Sequence, residues 1–317
     1  MGERASDESR KPGPGTARIV FSAGSLDAAL TGTLPCVTCG YELKGLSIRN
    51  VCPECGTAVR ATILYKVDPL AEEFRPIRHR RTVAVGLMAW SLGGLAAGLG
   101  CWVLRAMDFV PTVPITAAAL PLISWLVVAA AAISGIGSLV LVRPTPATSL
   151  PHMAQALAGS LAYFPLVWAV WRMLLEIDPV RAAPYFSGPP QPDRIFMRFI
   201  ASASIVVILL GVRPSARDLV KRSMVMRTGR VDRQTLLGMA VVSGIVMVGD
   251  ALRLASGNVR WADPETVGIA GSVIIVIGSG LLTLGLIGAA VDSWRIARAV
   301  LIPSPSMRQV LGDSAGV

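Results

Sequence analysis

Six long stretches of this chain carry almost no charge, and they decide what it can fold into. A helix needs about 20 mostly apolar residues to cross the hydrocarbon core of a bilayer. No water is present there to satisfy open backbone groups, so only helices or closed barrels can span it. The stretches cover about 82–104, 115–142, 153–175, 195–212, 235–254 and 267–291. Arg81 and Arg105 bound the first, Arg143 closes the second, and Asp292 and Arg295 close the sixth. The second is long enough to tilt. The third holds Pro165, which predicts a kink. The fourth is the weakest, because Arg198 falls in its first turn.

The charges lie elsewhere. Charged residues make up 16% of the 317 positions, against about 25% in a soluble domain. Of the 50, 21 fall within residues 1–81. The fold class expected is therefore an all-α membrane protein of about six transmembrane helices behind a small polar head. Residues 1–33 read as a flexible tail, since the Lys11–Gly15 run of alternating Pro and Gly breaks both helix and strand. Residues 34–60 form a cysteine module, and 61–81 a basic juxtamembrane linker. Asp68-Pro69 predicts a short helix from Pro69 to about Phe74. The membrane domain spans 82–292, and 293–317 is a C-terminal tail.

The net charge of +10 invites a nucleic-acid reading. Topology explains it better, because Lys and Arg accumulate in cytoplasmic loops. With the N-terminus inside, the inner segments next to the spans carry 16 basic residues and the outer loops 7. The expected placement is the cell membrane, with both termini cytoplasmic. The stretch from Met1 to Pro35 has no uninterrupted apolar run of signal-peptide shape, which agrees with a head kept on the synthesis side.

Four of the five cysteines fall in one short window: Cys36 and Cys39, then Cys52 and Cys55. Each pair is a C-x-x-C followed by glycine, Gly40 or Gly56. A two-residue gap lets both sulfurs of a pair reach one ion, and the glycine tolerates the left-handed turn behind them. Four thiolates satisfy tetrahedral zinc and leave no coordination position open for water, so the site predicted is structural. Iron is the alternative, since a four-thiolate shell does not by itself choose the metal. Disulfides are disfavoured in a reducing compartment. Tyr41, Leu43, Leu46, Ile48 and Val51 can make a small hairpin over the metal. So small a module depends on its ion for folding energy.

The string Cys39-Gly40-Tyr41-Glu42-Leu43-Lys44-Gly45-Leu46, followed by Cys52-Pro53-Glu54-Cys55-Gly56, resembles a short zinc-ribbon module. That module occurs at the N-termini of otherwise unlike multi-pass membrane proteins of planctomycete bacteria. The resemblance covers less than a tenth of the chain. It implies zinc at Cys36, Cys39, Cys52 and Cys55 and says almost nothing about activity. Lys44, Arg49 and Arg60 oppose Glu42 and Glu54, and zinc with four thiolates adds about −2. The module thus lacks the basic face that phosphate binding needs, and a cytoplasmic protein partner is expected ahead of nucleic acid. Tyr41 and Lys44 would meet that partner.

The membrane body offers weaker signals. Residues 215–228 read as a basic amphipathic helix capped by Ser215, or as an ordinary basic loop. Gly94 with Gly98, and Gly285 with Ala289, suit close helix packing inside one bundle. Trp168, Trp171 and Arg172 suit an aromatic belt. Asp250 and Arg253, three apart, can pair on one face near the outer end, and Arg198 is expected to snorkel. No catalytic motif is present, and the two histidines, His79 and His152, sit at span edges. The reading is a non-enzymatic membrane protein with a zinc ribbon as docking or scaffolding module. The alternative is a transporter or channel-like body with the ribbon as regulatory cap. Polar residues facing a cavity between helices would favour that alternative.

Overall fold

The structure, a computed structural model, describes residues 29–30, 33–67, 77, 79–109, 119–145, 148–180, 191–226, 235–258 and 263–301; the side chains of 106–109 and 221–226 are not described. The N-terminal tail and the predicted Pro69–Phe74 helix lie outside these residues.

The fold is all-α, with six apolar helices of membrane-spanning length. The chain is a multi-pass membrane protein. Helix α1 runs Val59–Val67, α2 Arg80–Phe109, and α3 Ala119–Ser138 with a 3₁₀ turn after it at Leu139–Leu141. The third span has four pieces: α4 Leu150–Leu161, α5 Tyr163–Trp171, a π-helical turn Arg172–Ile177, and α6 Asp178–Val180. Then come α7 Pro192–Met226, α8 Thr235–Ala255 and α9 Pro264–Leu301. Where a kink is expected, the third span is interrupted for one residue, Ala162, between α4 and α5. Pro165, lacking an N–H, sits three residues past it.

The spans pack as a ring in chain order. α2 lies on α3, α3 on α5, α5 on α7, α7 on α8, α8 on α9, and α9 returns to α2. Packing, rather than loss of water, holds helices together in lipid, so close approach depends on small residues. A Cβ on Gly137 of α3 would meet the backbone of α2 at Gly86 O (2.6 Å) and Trp90 Cα (2.9 Å). One on Gly271 of α9 would meet Gly249 O of α8 at 2.7 Å. The outward faces carry Leu122, Ile133 and Ile136 of α3 and Ile269, Val273 and Ile277 of α9. This is a large-outside, small-inside arrangement suited to lipid. Some buried hydroxyls bridge neighbouring helices, as Ser138 Oγ does to Ser160 Oγ at 2.9 Å. Ser134 Oγ donates to Trp90 O (2.7 Å), so its other contact must be as acceptor, from the Tyr163 hydroxyl at 2.8 Å.

Two helices run further than the sequence predicts. α7 continues through Pro214 to Met226, so residues 215–226 extend the fourth span and do not form a separate capped helix. Leu219 and Val220 join an apolar cluster with Leu87, Val212, Ile296 and Val300, so this stretch packs into the bundle. α9 continues to Leu301, because Ser293, Ile296, Ala297 and Val300 are buried at helical spacing. Asp292 and Arg295 do not end it; they pair along the helix at 3.8 Å, and the Arg295 side chain is 43% exposed.

Candidate functional site

The cysteine module is built from two copies of one turn. Cys36 N donates to Tyr41 O, and Gly40 N to Cys36 O; Cys52 N donates to Thr57 O, and Gly56 N to Cys52 O. An antiparallel bridge closes each turn, Pro35 with Glu42 and Val51 with Ala58. The spacing of the two copies is the same at every position. Gly40 and Gly56 take φ of +76° and +72°, the left-handed turn expected behind each pair. Among the described residues the hairpin consists of isolated bridges rather than a ladder. Of the five residues expected over the metal, Leu43 is fully buried and Tyr41 and Val51 are exposed. Glu42 braces the first turn, where its Oε1 accepts from Leu34 N (2.6 Å) and Lys44 N (3.1 Å).

These turns aim the four sulfurs at one point. Cys36, Cys39, Cys52 and Cys55 place their Sγ atoms within 4.8 Å of one another. The Cys36–Cys55 and Cys39–Cys52 separations are 3.6 and 3.5 Å. A disulfide requires about 2.05 Å. A tetrahedron with metal–sulfur bonds of about 2.3 Å has edges of about 3.8 Å. The donor set fits a tetrahedral ion. Loss of hydration pushes the Cys39 thiol up to about 12 and the Cys52 thiol upward. Burial also acts to raise Cys55, but hydrogen bonding with the Thr57 side chain and backbone and with the Cys39 and Cys36 sulfurs lowers it to about 7. Four thiolates packed this closely would repel one another, and a bound cation's charge offsets that repulsion.

The module is not a free tether. Helix α1, in the stretch expected to be linker, packs on both sides. Val59 joins Cys36, Leu43 and Cys52 in the metal-side core. Ala61 and Tyr65, with Val37 and Ala58, close on Ala299 in the last turn of α9. A helix buried on two faces has no clean amphipathic period, which is why its pattern is not readable from sequence.

The ring of helices encloses a second feature, a cavity of about 290 Å³ lined by all six spans. It runs from Trp90 to Arg105 along α2, about 22 Å at 1.5 Å per residue. Toward the ribbon it ends at the apolar cluster of Leu87, Val212 and Ile296, with Trp90 and Tyr163 shared between the two. Its walls carry Ser202, Ser243, Ser279 and Thr283 among apolar residues, and Trp102 Nε1 donates to Thr283 Oγ1 at 2.9 Å. Sequence reasoning misses this cavity, because single small polar residues inside apolar runs read as packing.

An ionic network crosses the end opposite the ribbon. Asp178 binds Arg105 through one oxygen and Arg194 through the other. Arg198 Nε meets Asp250 Oδ1 at 2.8 Å. Asp250 is fully buried and Arg253 is 5% exposed. The ion pair of Asp250 thus joins α7 to α8, where the sequence suggests a partner on its own helix. Arg198 is correspondingly not a simple snorkelling residue, its side chain being only 20% exposed.

No family model matches the chain, and comparison with curated proteins and with solved structures gives no match.

Proposed function

We propose that the membrane ring is a transporter or channel-like binding body for a small molecule, and that the zinc ribbon is the cap on one end of it. The observation that carries this reading is the cavity lined by all six spans, with hydroxyls and two arginines facing into it. Ligand sites favour such places between the helices of bundles, and ionisable residues at membrane depth mark pathways or sites. The basic inner segments favour N-in, C-in, so the arginine end faces outward and the ribbon lies in the cytoplasm. Zinc is the metal we assign to Cys36, Cys39, Cys52 and Cys55, on the strength of the four-sulfur shell.

Cys101 supplies the test, because it lines the cavity one turn from Arg105. An anionic, membrane-impermeant methanethiosulfonate added outside sealed vesicles is expected to modify Cys101, read by mass spectrometry of the intact protein. Ala97→Phe, which narrows the cavity, should slow modification at least about tenfold. Modification from the cytoplasmic side alone, or none before unfolding, would contradict the reading.

A second reading, the ribbon as docking module for a cytoplasmic protein, has one observation in its favour. Tyr41 and Val51 are both 42% exposed on the ribbon surface.

A further inference from the structure

Resting on the proposal that this cavity binds a ligand, we infer that the ligand is a single-chain anionic amphiphile. Its acidic head lies at Arg105 and Arg198, and its chain runs inward toward Trp90. Three features of the cavity lead there.

The first is the sign of the charge. Among the described residues, Arg105 and Arg198 are the only charged groups in the lining, and no carboxylate is among them. Both arginines are held from behind, Arg105 by Asp178 and Arg198 by Asp250. They are therefore positioned before any ligand arrives, which lowers the ordering cost of binding. A guanidinium carries five donors in a planar fork, suited to a carboxylate or phosphate.

The second is polarity along the length. Beyond the arginines the walls are mainly apolar, with Val127, Ile205, Leu209, Met239 and Leu286 among them. Each methylene buried there contributes about 0.8 kcal/mol. A hydrophilic anion would leave this surface uncovered, and an uncharged hydrocarbon would leave the arginines unused.

The third is shape. At about 290 Å³ the cavity lies at the lower limit for ligand pockets, room for one chain and not for a two-chain lipid. Toward the ribbon the cavity meets the buried cluster of Leu87, Val212 and Ile296, which shares Trp90 and Tyr163 with its lining. A chain lying along this axis has its tail against that cluster and its head at the arginines.

The experiment uses the full-length, zinc-loaded protein in phosphatidylcholine nanodiscs at pH 8, titrated with 11-bromoundecanoic acid and, separately, its methyl ester. Bromine quenches nearby tryptophan, and Trp90 and Trp102 line the cavity. Probe dissolved in lipid quenches the exposed Trp125 and Trp294 without saturation, so the saturable part reports the cavity. The acid is expected to give saturable quenching at least about tenfold tighter than the ester, the size of one charge-assisted hydrogen bond. Arg105→Gln should weaken the acid about tenfold and leave the ester unchanged; Asp178 keeps Arg194 in that variant, so the network survives. Ala97→Phe should abolish the saturable part for both probes. Equal affinity for acid and ester would overturn the anionic assignment and leave a binding cavity standing. No saturable quenching by either probe would overturn the amphiphile inference, and the Cys101 result would then decide whether the cavity is accessible at all.

Discussion

Replacing Cys52 by serine is expected to strip the metal from the chain and unfold residues 33–67 while the six-helix ring stays folded. Cys52 is 1% exposed and sits in the small core with Cys36, Leu43 and Val59. Few apolar side chains share that core, far too few to offset the entropy of ordering the segment. Structural zinc supplies about 10 kcal/mol or more to modules of this kind at neutral pH. Losing one of four thiolates removes most of that contribution. Elemental analysis of the purified variant should find less than one tenth of the wild-type metal. Trypsin should cleave at Lys44 and Arg49 within minutes, whereas the spans remain intact. Stoichiometric metal in the variant, or unchanged resistance to trypsin, would show that the ion is not what folds the ribbon.

Asp250→Ala is the second large effect, and it strikes the other end of the molecule. Asp250 is fully buried, and its carboxylate meets Arg198 from the neighbouring helix. Removing one partner of a buried pair leaves a charge in a poor solvent, at about 3–5 kcal/mol. The unfolding midpoint in detergent should fall accordingly. The double variant Arg198→Gln, Asp250→Asn leaves a polar amide at each position without the charges. It should be more stable than Asp250→Ala alone, because a neutral pair leaves no uncompensated ion. If the single variant matched wild type within about 0.5 kcal/mol, the pair would be no more than a surface contact.

The six spans are legible in the sequence because each is an apolar run bounded by charge, and lipid imposes that pattern segment by segment. The metal ligands are legible for a similar reason: cysteine spacing and the following glycine are local requirements of one turn. What sequence hides is contact between segments. Nothing in the fourth span announces that Arg198 will meet Asp250 on the fifth, since both look like residues at a span edge. Charge normally stops a span, which points to Asp292 as the end of α9, yet Ala297 and Val300 keep a buried face beyond it. That face is covered by Val83, Ala84 and Leu87 of α2 and by Leu219 and Val220 at the end of α7, while the ribbon and α1 cover Ala299. The cavity is a property of the ring closing on itself, and no single helix carries its signature.

The ribbon as cap is the claim that joins the two halves of the molecule, and hydrogen exchange measured with and without zinc chelation tests it most directly. Chelation is expected to speed exchange in residues 33–67 together with the last two turns of α9, where Ala299 loses its cover from Val37, Ala61 and Tyr65. The cavity-lining turns of α2 and α8 should keep their protection. Faster exchange confined to the ribbon, with the end of α9 unchanged, would contradict the capping role.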